Sequence, residues 1–188
     1  MTQQEIVDRL AAGNDRFVAD KLDGKLQNST RRDDLTSGQD PWAIILSCAD
    51  SRVVPELAFD SGLGELFVVR VAGNVANSSS IASIEYAVAH IGTPVIVVLG
   101  HESCGAVTAA INGGDNGYNL NHLLSHITPA IHASGDNATV TEVVKKNAEL
   151  TVEELKGRSA IIRGAVDAGK LKIVPAYYEL GAGKVHFL

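Results

Sequence analysis

Three continuous apolar runs of strand length most constrain the fold of this 188-residue chain: residues 42–46, 66–69 and 95–99. Short runs without polar alternation are typical of parallel strands that are buried on both faces of a sheet. A helical pattern over residues 79–90 separates the second run from the third, which predicts a strand, a crossover helix and a parallel strand. We therefore expect an α/β fold with a mainly parallel β-sheet flanked by α-helices.

Helical spacing also marks the N-terminal segment. Residues 3–18 carry apolar side chains at helical intervals, which predicts an amphipathic helix that is broken or bent near Gly13. Residues 20–40 are polar and are predicted to form a loop with one short helix. Later helices are predicted at residues 106–111, 120–133, 139–155 and 159–168, and two final strands at residues 172–178 and 184–187.

Length and composition favour one folded domain. With 45% apolar and 20% charged residues, the chain has a globular composition. We expect a single domain over residues 1–188, in which residues 1–40 form an N-terminal helical arm and loop and residues 41–188 form the α/β core. The net charge of −6 argues against a nucleic-acid partner. Because no apolar run approaches the ~20 residues that cross a bilayer, and no leader pattern is visible, we expect no membrane partner and a cytoplasmic location.

Two short polar segments directly follow the first and third predicted strands, CADSR at residues 48–52 and HESCG at residues 101–105. In open parallel sheets, ligands gather at the carboxyl ends of the strands, so both segments should meet at one edge. Cys48 and Cys104 would then lie beside His101. Two thiolates and one imidazole suit zinc, and three protein ligands leave one tetrahedral position for water.

Spacing alone leaves other interpretations of these residues open. Free cysteines are among the most buried residues, so Cys48 and Cys104 can be ordinary core side chains. A disulfide between them is disfavoured in a cytoplasmic protein. A cysteine nucleophile paired with His101 is a further alternative, although nothing favours one thiol over the other. His122 and His126 lie four residues apart, but no carboxylate or thiol nearby in the sequence completes a metal site, and we expect surface histidines there.

The two pentapeptides at this separation resemble the paired signature of the β-class carbonic anhydrases. Four further segments resemble family sequences in family order: residues 10–17, 70–74, 85–88 and 177–185. The resemblance covers nearly the whole chain. It implies a lyase that interconverts carbon dioxide and bicarbonate, with one zinc ion per chain bound by Cys48, His101 and Cys104.

The resemblance also implies that zinc-bound hydroxide attacks carbon dioxide, oriented by Asp50, which Arg52 holds. Two thiolates leave the zinc site formally neutral, so water there needs assistance to ionise. A carboxylate at Asp50 can accept a hydrogen bond from that water, and a bidentate contact with Arg52 can orient the carboxylate.

The same pair can form a switch, with Asp50 as a possible fourth zinc ligand in a closed state. Family members that close in this way resemble one another in carrying a tryptophan three residues before the first zinc cysteine. This chain has Ile45 at that position. We therefore expect an open site at neutral pH and little cooperative inhibition by bicarbonate.

A substrate cleft lined by Gln39, Phe67, Tyr86 and Gly105 is a further implication of the resemblance. An amide at Gln39 can donate to a substrate oxygen, and Phe67 can supply an apolar wall. Either residue can instead be ordinary, because strand aromatics are usually core residues and Gln39 lies in a polar loop. The family forms dimers and larger assemblies, which implies a homodimer or higher homo-oligomer whose N-terminal helix contacts the partner and whose cleft is completed at the interface.

Two alternative functions stay open. Relatives of the β-class enzymes hydrolyse carbon disulfide or carbonyl sulfide at the same kind of site. A non-catalytic protein in which zinc only supports the fold is the other alternative. Because a structural zinc site needs neither Asp50 nor Arg52, the presence of both favours an enzyme.

Overall fold

The computed structural model describes all residues from Met1 to Leu188. Its five strands are β1 (Ala43–Ser47), β2 (Leu66–Arg70), β3 (Val95–His101), β4 (Lys172–Tyr178) and β5 (Val185–Phe187). They form one sheet in the order β2-β1-β3-β4-β5, in which only β5 runs antiparallel to its neighbour. The predicted α/β fold with a mainly parallel sheet is confirmed.

Nine α-helices surround the sheet. They are α1 (Gln3–Val18), α2 (Ser29–Asp34), α3 (Pro55–Ala58), α4 (Ser78–Tyr86), α5 (Gly105–Asn112), α6 (Tyr118–Ser125), α7 (Thr128–Ser134), α8 (Val140–Arg158) and α9 (Ala160–Asp167). A 3-10 turn at Ala72–Asn74 follows β2, and a π-helical turn at Ala87–Ile91 extends α4. None of these helices combines the length and apolar character that a membrane crossing requires.

The sheet separates two apolar layers. Helices α1 and α3 pack on one face, and α4, α8 and α9 pack on the other. Strands β1 and β3 are fully buried, as their apolar runs predict. The same prediction was wrong for β2, which is only partly buried because it forms an edge of the sheet and lacks a neighbour on one side. A third cluster, at the carboxyl end of the sheet, contains both cysteines and packs against α5 to α8.

Helix α1 is continuous through Gly13, so a break at this position is excluded. Thr2 and Glu5 form a reciprocal capping box at its start. Gly13 instead permits a close approach, since a Cβ atom at this position would lie 2.0 Å from the carbonyl oxygen of Phe59. The glycine therefore reflects a tertiary contact and not a local helix end.

The single helix predicted over residues 120–133 is also wrong, because two helices occupy this segment. Helix α6 ends at Ser125 and α7 begins at Thr128. Pro129 lies in the first turn of α7, where it has no backbone N–H to donate to a preceding helical turn. The chain therefore starts a new helix there.

A buried carboxylate at Asp60 ties α1 to the loop after α3. Arg16 donates to Asp60 over 2.5 Å, and the backbone N–H of Asp23 donates to it over 3.0 Å. Burial raises the pKa of Asp60, but these donors together outweigh that effect and the pKa is lowered overall. A carboxylate whose pKa is lower in the folded state stabilises the fold above its unfolded-state pKa, and that stability is lost as the pH falls through the folded-state value.

We expect Asp60→Asn to lower the free energy of unfolding by about 1–2 kcal/mol at pH 7, because charge-assisted hydrogen bonds are lost. Asparagine tolerates the left-handed backbone at this position, where φ is 46°. The deficit should shrink as the pH falls below about 4, because protons then bind Asp60 in the unfolded parent more readily than in the folded parent. Urea unfolding at pH 7 and pH 3 measures this. Asp15→Asn is the control, since the Asp15 pair with Lys184 is exposed; a pH-independent deficit at position 60 would contradict the prediction.

Candidate metal centre

The two polar segments converge at the carboxyl edge of the sheet. Strands β1 and β3 are neighbours, Cys48 directly follows β1, and His101 is the last residue of β3. The chain then turns through Ser103, whose φ of 53° is left-handed, and Cys104 caps the start of α5. Residues from two strand ends and one helix start therefore surround the same point.

The candidate donor atoms of Cys48, His101 and Cys104 all lie within 4.8 Å of one another, and the three residues are buried. Both cysteines are free. Nδ1 of His101 lies 2.8 Å from the carbonyl oxygen of Glu102, so this nitrogen carries the donated proton. Nε2 is then left with a lone pair, buried and without a hydrogen-bond partner. A buried nitrogen of this kind beside two sulfurs matches the requirements of a metal ligand.

The charges of the two thiols also fit a dication. A hydrogen bond from the thiol of Cys104, helped by the N–H of Gly73 at 3.3 Å, lowers the pKa of the Cys48 thiol against the opposing effect of burial. The same pairing, together with burial, raises the pKa of Cys104. Two thiolates this close repel each other, and a divalent cation between them removes that repulsion. Two sulfurs and one imidazole are a donor set that zinc prefers.

A carboxylate and a guanidinium lie beside the three donors. Arg52 donates Nε and Nη2 to the two oxygens of Asp50 over 2.9 and 2.8 Å, and its backbone N–H donates over 2.9 Å. These side-chain bonds hold the pKa of Asp50 well below its usual range. Oδ2 of Asp50 lies 3.9 Å from Nε2 of His101. An ionised, oriented acceptor therefore stands next to the buried donor atoms.

Arg70 supports this segment, and sequence reasoning gave it no individual role. It donates Nε to the carbonyl oxygen of Cys48 over 3.0 Å and Nη2 to that of Asp50 over 2.5 Å. The guanidinium thus fixes the backbone on both sides of Ala49. An arginine at the end of an apolar strand was the only available signal, and it did not indicate which carbonyl groups would lie within reach.

Gln39 and Tyr86 lie together, but apart from the donor atoms. Both line a recess of about 590 Å³ between the loop after α2 and the end of α4. None of Cys48, His101 and Cys104 lines that recess. Within one chain, these two residues therefore do not form a common cleft with the candidate metal ligands.

Phe67 and Gly105, the other two predicted cleft residues, do not line the recess of Gln39 and Tyr86. Phe67 lies in the middle of β2, opposite Ile44, and packs partly against the apolar layer under α4. Gly105 opens α5 directly after Cys104, and a Cβ atom there would meet nothing within 4 Å. Of the predicted cleft residues, only Gly105 adjoins the donor set in the chain.

The histidine pair formed by His122 and His126 has a carboxylate nearby in the fold, because Oε1 of Glu154 lies 3.6 Å from Nδ1 of His126. That carboxylate already pairs with Arg158 at 2.6 Å. Cys48, His101 and Cys104 form the one group of three or more such donors close enough to share an ion. The histidine pair at residues 122 and 126 therefore adds no metal centre.

Comparisons with known proteins all find similarity to carbonic anhydrases. The sequence model of the carbonic anhydrase family matches residues 43–185. Carbonic anhydrase 2 of Mycobacterium tuberculosis is 42% identical over 182 residues, covering 93% of this chain and 87% of its own length. The carbonic anhydrase of Mycolicibacterium smegmatis is 40% identical, covering 94% of this chain and 88% of its own.

A solved structure extends the similarity to three dimensions. A β-carbonic anhydrase from the ascomycete Sordaria macrospora superposes with a TM-score of 0.75 at 26% identity, over 84% of this chain and 85% of the fungal one. That structure is described as one of two tetrameric enzymes. Both the sequence and the backbone thus match one group of proteins along most of their length.

Proposed function

The chain belongs to the β-class carbonic anhydrase family, and from this premise we propose that it catalyses the reversible hydration of carbon dioxide to bicarbonate and a proton, with one zinc ion bound by Cys48, His101 and Cys104. The observation that carries the proposal is the position of the Asp50 and Arg52 pair beside those three buried donors. A metal site that only supports the fold does not require an ionised carboxylate 3.9 Å from a ligand nitrogen.

Each residue has a distinct task in this proposal. Zinc would supply the Lewis acid that makes water ionise more readily, as it does in other carbonic anhydrases. The carboxylate of Asp50 accepts a hydrogen bond from the reacting water and directs its lone pair toward the carbon of the substrate. Arg52 keeps that carboxylate ionised and fixes its plane through two parallel hydrogen bonds.

The same geometry supports an open site at neutral pH. Arg52 contacts both oxygens of Asp50 and also donates to the carbonyl oxygen of Ser103 over 3.3 Å. A closed state, with Asp50 as a fourth ligand, requires at least part of this bidentate contact to break. The cost of separating an ionised pair with good geometry favours the open arrangement.

We place the substrate cleft between two copies of the chain. Gln39 and Tyr86 would then face the metal centre of the partner, together with Phe67 from the half-exposed edge strand β2. Their separation from the donors within one chain supports this proposal. In it, residues 1–188 act as one domain, and the arm formed by residues 1–40 contributes to a homo-oligomer.

The decisive experiment is stopped-flow hydration of carbon dioxide with protein of measured zinc content, from about pH 6.5 to 9. We expect one zinc per chain and activity that rises smoothly with pH. Removal of zinc with a chelator should abolish the activity, and added zinc should restore it. Abrupt onset only above about pH 8 would contradict the open site.

Absence of hydration at every pH, with one zinc per chain, would overturn the proposed activity. Turnover of carbon disulfide or carbonyl sulfide by the same preparation would then identify a hydrolase acting on those analogues. Absence of all three activities would leave zinc with a structural role.

A further inference from the structure

We propose that Glu102 is a positioning residue for the metal centre: its carboxylate anchors the turn between His101 and Cys104 to the β4–β5 hairpin and thereby orients the imidazole of His101. The inference rests on the proposed zinc site. It concerns a side chain whose hydrogen bonds go to neither the three donors nor the Asp50 and Arg52 pair.

The carboxylate of Glu102 binds the backbone of a distant segment. Its Oε2 accepts from the N–H of Leu180 over 2.9 Å and from the N–H of Gly181 over 3.3 Å. Both donors belong to the turn that joins β4 to β5. The backbone N–H of Glu102 donates to the carbonyl oxygen of Tyr178 over 2.8 Å. Glu102 is thus attached to the hairpin through both its main chain and its side chain.

The same residue holds the histidine ring. The carbonyl oxygen of Glu102 accepts the Nδ1 proton of His101, which leaves Nε2 available to a metal. The direction of that carbonyl depends on the peptide between Glu102 and Ser103. Ser103 adopts φ of 53°, a conformation that residues other than glycine rarely adopt and that surrounding contacts must maintain.

Two anchors maintain the turn, one on each side. Arg52 donates to the carbonyl oxygen of Ser103 over 3.3 Å, and the hairpin donates to the side chain of Glu102. If the second anchor is lost, the strained backbone at Ser103 can relax and turn the carbonyl of Glu102 away from His101. Removing the hydrogen-bond partner of a ligating histidine typically weakens metal binding by about 10- to 100-fold.

The test compares Glu102→Leu with Glu102→Gln in the zinc-loaded protein. Leucine keeps most of the volume and removes the acceptor. Glutamine keeps one carbonyl oxygen, which suffices because both N–H groups donate to a single oxygen of Glu102. We expect zinc release to an excess chelator to be about 10- to 100-fold faster in Glu102→Leu and within about threefold of the parent in Glu102→Gln.

The visible spectrum of the cobalt-substituted protein gives a second readout that does not depend on turnover. It should change in Glu102→Leu and be preserved in Glu102→Gln. Glu179→Leu is the matched control, because this carboxylate lies in the same hairpin but pairs with His186 at the surface. Zinc release from Glu179→Leu should equal that of the parent.

Release at the parental rate from a folded Glu102→Leu protein, or equally fast release from both Glu102 variants, would overturn the proposal. If Glu102→Leu does not fold, Glu102→Asp takes its place, since aspartate keeps the charge but is one methylene shorter. Zinc release from Glu102→Asp at the parental rate would contradict the proposal. A parent protein that binds no zinc would instead refute the proposed function itself.

Discussion

Replacing Asp50 by asparagine should lower kcat/KM for carbon dioxide hydration by about 10²- to 10⁴-fold, while the variant keeps one zinc per chain. Asparagine has the same shape, but its NH₂ group cannot accept a hydrogen bond from water or from Arg52. The pKa of Asp50 lies well below its usual range, so the carboxylate is ionised throughout the assay. The loss should therefore be similar from pH 6.5 to 9. Zinc is retained because Asp50 is not one of the three clustered donors.

Asp115→Asn is the matched control for this experiment. Asp115 also has a lowered pKa, because the backbone N–H of Gly117 donates to it, and Asn121 adds a side-chain hydrogen bond. It lies in the loop between α5 and α6. Its replacement should leave turnover unchanged. Full activity of a zinc-loaded Asp50→Asn protein would refute the assigned role of Asp50 and favour a structural role for the metal.

Gly13→Ala should be strongly destabilising. The new Cβ atom would lie 2.0 Å from the carbonyl oxygen of Phe59, and backbone atoms cannot yield as the end of a flexible side chain can. Helix α1 cannot slide away easily, because the buried Asn14 donates to the carbonyl oxygens of Ala58 and Gly183 over 3.0 and 2.8 Å. We expect a loss of about 3 kcal/mol or more in the free energy of unfolding, at or above the usual upper range for overpacking.

Gly164→Ala should have the opposite effect on the free energy of unfolding and serves as the comparison for Gly13→Ala. Gly164 lies in helix α9, and a Cβ atom there meets nothing within 4 Å. Alanine should stabilise this helix by about 0.5–1 kcal/mol, since glycine loses more backbone freedom on folding. Urea unfolding of both variants measures the pair. Equal effects at the two positions would show that helix propensity, and not the contact with Phe59, determines the outcome at Gly13.

Patterns of neighbouring residues were sufficient to predict the buried strands. The apolar runs at residues 42–46 and 95–99 predicted strands that are buried on both faces, and β1 and β3 have this burial. The same patterns gave wrong predictions where contacts with a distant segment determine burial or helix continuity. The half-burial of β2 follows from its place at the sheet edge, and Gly13 in a continuous helix follows from a carbonyl group 46 positions along the chain.

Adjacent residues were enough to predict the strand pattern, the family resemblance and the position of two cysteines and a histidine just after two predicted strands. This was possible because burial preference, donor chemistry and strand ends are all encoded by adjacent residues. The folded chain was needed to show that Arg70 donates to the carbonyl oxygen of Cys48, that Glu102 accepts from the β4–β5 turn, and that Gln39 and Tyr86 lie in a separate recess. Those relations depend on the distances between segments far apart in the chain. A hydrogen bond requires its donor–acceptor distance, roughly 3 Å, to be met within a few tenths of an ångström, which no local pattern encodes.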